Sequence, residues 1–430
     1  MAGDNRFLSI PYLFLRSTTA GGAVVAGLIQ TFVFARIVSP ERFSIFILVG
    51  TLGVTLWLFD LGIAKILFVR TREWYLKGCK GRYVAERSGI VVILYTSLVL
   101  AIGMVFLVAV AAAPGSTLLN AVELSLFFVF TALNLVWFVL RNLSVAIDDF
   151  VNFETLEVLR RVIHMALMLA MLIGLPLLAF LIVANLVWAG LFALSAHRLM
   201  ARRALALRFD HFPRRLQSFF RANRKEVMRT GTYGINEFFI YHFPYAVVPY
   251  MFGLGAPTIV LDTTFKVFRG ATLLYSAGCD IAVPRQTRAF AERDRPSLIL
   301  ATLMAAALGS LPALLLGGLL VFAAEPFFAL LLGQAATMPP QTTLLLVILL
   351  VANLAQTVAN FLLVHTGFFR EIAVLAVAVS VVMATATGIS ISVGADFLGF
   401  LTTYTAVYVC SALAYLALAI AGPIRAAQRG

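Results

Sequence analysis

Asp262, Lys266 and Arg269 stand four and then three residues apart in an otherwise apolar run. At 3.6 residues per turn this spacing puts all three on one helical face. The acid lies N-terminal to the lysine, the favoured order for an i,i+4 ion pair. Asp262 can therefore neutralise part of Lys266. Arg269 has no acid three or four residues ahead of it, and Phe265 and Phe268 occupy the neighbouring turn. A guanidinium left over in an apolar run suits an anionic group such as a phosphate, which arginine grips with two parallel hydrogen bonds. The competing reading is that Asp262 neutralises Lys266 while Arg269 snorkels to the membrane surface. Against it, Arg269 lies more than ten residues before Pro284, where the run nears its end.

Other ionisable residues interrupt apolar runs in the same way. A charge at the centre of a bilayer costs about 2.5–3.5 kcal/mol, so such residues face a cavity or a partner. Asp60 and Lys65 are five apart and turned off a common face. Lys65 lies near a run end, so snorkelling stands beside a cavity role. Glu237 and His242 sit among Tyr241, Tyr245, Phe238 and Phe239, close to the helix-breaking Pro244 and Pro249. Three roles are open to Glu237: pairing with a lysine, binding a coupling cation, or staying protonated. A broken aromatic helix beside a cavity suits a membrane transporter, although aromatic stripes more often serve packing. Lys65, Lys266 and Arg269 are expected to line one water-filled cavity, with Arg36 at its outer mouth. Glu237, Asp60 and Asp262 are the candidate charge partners or ion-coupling groups.

These residues need membrane helices to position them. Of 430 residues, 61% are hydrophobic and 12% charged, against about 25% charged in soluble domains. The chain reads as an all-α polytopic membrane protein with about twelve transmembrane helices. Among the expected spans are Thr18–Val38, Phe43–Val69, Val122–Leu143, Leu156–Leu175, Gly231–Phe252, Thr258–Val283 and Leu298–Ala323. The order implies a six-helix N-terminal lobe over 1–197, a basic linker over 198–230 and a six-helix C-terminal lobe over 231–430, around a central cavity.

The net charge of +13 sits almost wholly in alternate loops. One set carries Arg70, Arg72, Lys77, Lys80, Arg82 and Arg87, then Arg141, Arg160 and Arg161, then the linker, then Arg285, Arg288, Arg293 and Arg295. The opposite set carries only Arg36 and Arg42. Positive charge favours the cytoplasm, so both termini are expected inside. The linker fixes topology and touches anionic membrane lipids; with no nucleic-acid module present, no nucleic-acid partner is expected. A short echo joins the halves: Val69-Arg70-Thr71-Arg72-Glu73 and Pro284-Arg285-Gln286-Thr287-Arg288.

The chain is not expected to be an enzyme. It has no P-loop, no nucleophile motif in strand–helix context and no His/Cys cluster with metal spacing. No metal or cofactor is expected, and Cys79, Cys279 and Cys410 give no disulfide framework. The outer loops are short, Glu325–Gln341 being the longest, so nothing outside holds an acceptor for sugar transfer.

Ala35-Arg36-Ile37-Val38-Ser39-Pro40-Glu41-Arg42-Phe43, followed by Phe59-Asp60-Leu61-Gly62-Ile63, resembles the opening of the polysaccharide-transporter flippases. These belong to the multidrug/oligosaccharidyl-lipid/polysaccharide (MOP) exporter superfamily. Phe265-Lys266-Val267-Phe268-Arg269 and Glu325-Pro326 with Leu331-Leu332-Gly333 fit the same resemblance. Ser39 and Ser44 stand where the family pattern has glycine. The resemblance implies two six-helix lobes working by alternating access in a bacterial inner membrane. It implies a polyprenyl-pyrophosphate-linked oligosaccharide as cargo, with a polysaccharide polymerase or glycosyltransferases as partners. A cation-coupled multidrug exporter of the same superfamily ranks second. Many of those carry an acid in the first helix, and Thr18–Val38 has none. A non-transporting scaffold for polysaccharide synthesis ranks third.

Overall fold

The computed structural model describes residues 10–56, 60, 62–78, 83–208, 210 and 212–427. Among them all regular structure is helical. The chain divides into two compact units: Ile45–Gly234, and Arg16–Ser44 together with Ile235–Gly430.

In chain order the helices are α1 (Ile10–Ile37), α2 (Pro40–Thr55), α3 (Ile63–Leu76), α4 (Tyr83–Ala111), α5 (Leu118–Ala132), α6 (Asn134–Ala146), α7 (Phe150–Leu172) and α8 (Leu177–Ala201). There follow α9 (Phe212–Tyr241), α10 (Phe243–Phe252), α11 (Ala256–Ala291), α12 (Arg295–Leu332), α13 (Pro340–His365), α14 (Phe369–Ser392) and α15 (Phe397–Ala419), closed by a π-helical turn over Ile420–Ile424. Each of the twelve expected spans meets either one helix or a broken pair: α2/α3, α5/α6 and α9/α10. Among the described residues, eight helical segments are long and apolar enough to cross a membrane by length and composition. Their exposed faces carry large apolar side chains, such as Leu300, Leu314, Val321 and Phe322 on α12. Bare apolar surface on this scale suits contact with lipid.

The breaks have local causes. The second span was expected to run unbroken over Phe43–Val69, but α2 ends at Thr55 and α3 starts only after Gly62, whose φ of 78° is a left-handed conformation outside the helix. The Ala64 amide then donates to Asp60 Oδ1 at 3.0 Å, so Asp60 starts α3 as a cap does. At the second break Pro244 lies in the first turn of α10. The freed carbonyl of Ile240 accepts from the Tyr404 hydroxyl at 2.8 Å. In α12 the backbone leaves helical angles at Ala323 (φ −141°, ψ 25°), three residues before Pro326. Helix then resumes to Leu332. The expected outer loop Glu325–Gln341 is therefore helical over its first half, because the apolar Phe327–Leu332 favours helix once Pro326 sits in a first turn.

In the first unit Trp137 and Trp188 meet edge to face at 5.3 Å, on α6 and α8. The basic stretch after α8 belongs to this unit. The Ala206 amide donates to the Ala85 carbonyl at 3.0 Å, and Arg208 and Arg215 reach Glu86 at 3.3 and 3.9 Å. Gly89 makes the approach possible: a Cβ there would lie 1.9 Å from the Ala206 carbonyl oxygen.

In the second unit α11 is the buried centre. Phe265 and Phe268 are fully buried, and Phe268 meets Tyr408 of α15 edge to face at 5.0 Å. Gly278 lets α12 approach so closely that a Cβ would lie 3.1 Å from the Gly309 nitrogen. The segment Arg16–Ser44, expected in the first lobe, packs with this unit. Arg36 Nη2 donates to the Leu330 carbonyl at 2.6 Å, and the Gly255 amide donates to Ser44 Oγ at 2.9 Å.

Candidate functional site

The expected i,i+4 pair forms. Lys266 Nζ lies 2.6 Å from Asp262 Oδ2, with side chains 17% and 6% exposed. The same ammonium donates to Thr31 Oγ1 on α1 at 2.9 Å. The other carboxylate oxygen, Oδ1, accepts from the Tyr245 hydroxyl at 3.0 Å. Tyr245 in turn accepts from Arg269 Nη2 at 2.6 Å. Arg269 also donates through Nε to the Phe265 carbonyl at 3.3 Å.

Thr31, Lys266, Asp262, Tyr245 and Arg269 thus form one hydrogen-bonded chain across α1, α11 and α10. It holds two cations and one carboxylate, so it keeps one net positive charge. No carboxylate among the described residues pairs with Arg269, and its Nη1 makes no hydrogen bond among them. A phenol satisfies one donor without cancelling the charge. The arrangement presents a positioned, half-buried guanidinium to an incoming anion.

One polar group beside this chain has its bonds made. Asn353, 1% exposed, donates to Thr272 Oγ1 at 2.8 Å and accepts from Tyr408 at 3.3 Å. It belongs to a structural bond network.

The remaining expected residues are divided between the two units. Arg36 donates through Nη1 to Phe32 at 2.8 Å and through Nη2 to Leu330 at 2.6 Å, in the last turn of α12. A cation there complements the helix C-terminus. Asp60 is buried in the first unit, holding the Ala64 amide and the Tyr95 hydroxyl, each at 3.0 Å. Lys65 follows on α3 of the same unit and is exposed. The side chain of Glu237 lies outside the described residues, as does Cys79.

One group of charges escaped the sequence reading. Arg160 and Arg161 were expected among loop charges, but they stand in the middle of α7. Glu157, almost fully buried, meets Arg160 at 2.5 Å and Arg161 at 2.7 Å. Trp137 Nε1 donates to the same carboxylate at 2.6 Å. Glu154 meets Arg141 at 3.2 Å, and the Arg160 guanidinium lies 4.0 Å over the Trp188 ring. The signal was present: Glu157 precedes the two arginines by three and four residues, the helical pairing distance.

No family model matches this chain, and no curated protein matches it. Solved structures do. An outward-facing multidrug resistance MATE family transporter of the MOP superfamily superposes with a TM-score of 0.65. That match covers 100% of this chain and 98% of the other, at 12% identity. The chain has the fold of the MATE transporters. An inward-facing MATE structure gives a TM-score of 0.58 at 15% identity, over 99% of this chain and 98% of that one. A MOP superfamily transporter from Pyrococcus furiosus gives 0.62 at 14%, over 98% and 97%. The MATE fold has twelve transmembrane helices in two lobes, which matches the twelve expected spans.

Proposed function

We propose that this chain is a MOP-type transporter, not an enzyme, and that its cargo is an anionic amphiphile. A polyprenyl-pyrophosphate-linked oligosaccharide is the cargo we favour. The observation that carries this reading is Arg269, a positioned guanidinium with a phenol for a partner and no carboxylate among the described residues. A pyrophosphate crossing lipid needs compensating charge, and fixed cations supply it. The Pyrococcus furiosus transporter is described as having a binding pocket of reverse polarity that suggests a different function. A MOP superfamily transporter with a binding pocket of altered polarity therefore has precedent.

A second reading is export of cationic drugs, and the solved structures favour it: two of the matches are described as multidrug resistance transporters. The two readings predict opposite charge preferences. Reconstituted protein in liposomes is offered a fluorescent pyrophosphate-linked prenyl oligosaccharide in one arm and ethidium in the other. Translocation of the first alone supports the anionic reading. Translocation of ethidium alone establishes the drug exporter in its place.

A further inference from the structure

The sequence echo between the halves marks two grooves, one inside each unit. In the first unit, the end of α3 and the start of α4 enclose a cavity of ≈ 400 Å³ bearing Arg70, Lys77 and Arg87 against one carboxylate, Glu73. Leu67, Val84 and Phe219 supply an apolar side. In the second unit, the end of α11 and the start of α12 enclose ≈ 340 Å³ bearing Arg285 and Arg288 against Glu292. Arg70, Glu73 and Lys77 are spaced by three and four residues, as are Arg285, Arg288 and Glu292. The same helical face is therefore used twice.

Among the described residues the first groove is the more basic, with three cations to one acid. Arg70 meets Glu73 at 3.8 Å, both half exposed, so this pair is loose. The Arg87 guanidinium lies 3.7 Å over the Tyr83 ring and 5.9 Å from Phe219, which fixes it at the groove wall. Tyr83 is the first residue of a 29-residue apolar segment able to span a membrane. The groove thus stands at headgroup level, with aromatic rings where membrane proteins place them. A basic cavity with one apolar side, at that level, is complementary to a phosphate carrying acyl chains.

We propose that the groove of Arg70, Lys77 and Arg87 binds the phosphate of an anionic phospholipid headgroup. The α11/α12 groove is a weaker copy. Neither uses the Arg269 chain, so this assignment stands apart from the transported cargo.

The test is native mass spectrometry of the full chain released from nanodiscs of phosphatidylcholine and phosphatidylglycerol. The wild-type protein is expected to retain phosphatidylglycerol over phosphatidylcholine. Lys77→Gln weakens that retention about fivefold, and Arg70→Gln/Lys77→Gln/Arg87→Gln roughly 100-fold, at one surface charge per step. Arg42→Gln, in the opposite set of loops, leaves retention unchanged. Lys77 is exposed, so its single variant still decides the matter where the triple variant does not insert. Retention at the wild-type level in Lys77→Gln and the triple variant overturns the proposal. So does displacement of the lipid by millimolar inorganic phosphate, which would make this a site for free anions.

Discussion

Arg269 donates to the Tyr245 hydroxyl at 2.6 Å, where a buried guanidinium ordinarily takes a carboxylate. The phenol in turn donates its own hydrogen bond to Asp262 Oδ1. One hydroxyl therefore ties Arg269 to the neutralised Lys266–Asp262 pair. Tyr245→Phe strips a bond from each side and leaves both groups short of a partner. A loss of about 1–3 kcal/mol in stability is expected, read from thermal unfolding in detergent. An unchanged unfolding midpoint would show that the chain of bonds contributes nothing to the fold.

Arg269 is the cation expected to meet the cargo. Arg269→Ala should abolish transport of the pyrophosphate-linked substrate while the protein inserts at normal levels. Arg269→Lys should restore it only in part, since an ammonium cannot reproduce bidentate phosphate binding. Full transport by a normally inserted Arg269→Ala protein would end the anionic reading.

Glu157 compensates two arginines in the middle of α7. Glu157→Ala leaves both uncompensated, at a cost of about 3–5 kcal/mol. The amount of folded protein recovered from membranes should fall sharply. Arg70→Ala, on an exposed pair, should leave recovery unchanged.

Gly89 is the point where the basic stretch touches α4. Gly89→Ala places a methyl against backbone, at 1.9 Å from the Ala206 oxygen before relaxation. The segment around Ala206 must shift, losing its bond to Ala85. Limited proteolysis near Arg202–Arg208 should become faster in this variant than in wild type, and an equal cleavage rate would refute the contact.

Orientation is open to direct test. From the one-sided Lys/Arg distribution Cys79 is expected on the cytoplasmic side. In a Cys410→Ser background, an impermeant thiol reagent should label Cys79 in inverted vesicles only, since Cys279 is buried. Labelling in intact cells would reverse the topology.

Spacing along the chain was enough for the elements and for one pair. Apolar run length reports membrane helices because lipid offers no partner for an unsatisfied backbone. Asp262 and Lys266 were legible together because helical geometry alone brings i and i+4 side by side. The breaks were partly legible: Pro244 signalled the second, whereas at Gly62 the left-handed turn and the Asp60 cap came only with coordinates. Tertiary structure alone decided that Arg269 meets Tyr245, 24 residues away on another helix. It alone placed Arg16–Ser44 with the second unit, through bonds from Arg36 to Leu330 and from Gly255 to Ser44 that span 294 and 211 residues. Sequence spacing encodes which side chains share a helical face. Which face a distant helix then covers depends on packing shape and on the few polar groups that must find partners, and neither has a period along the chain.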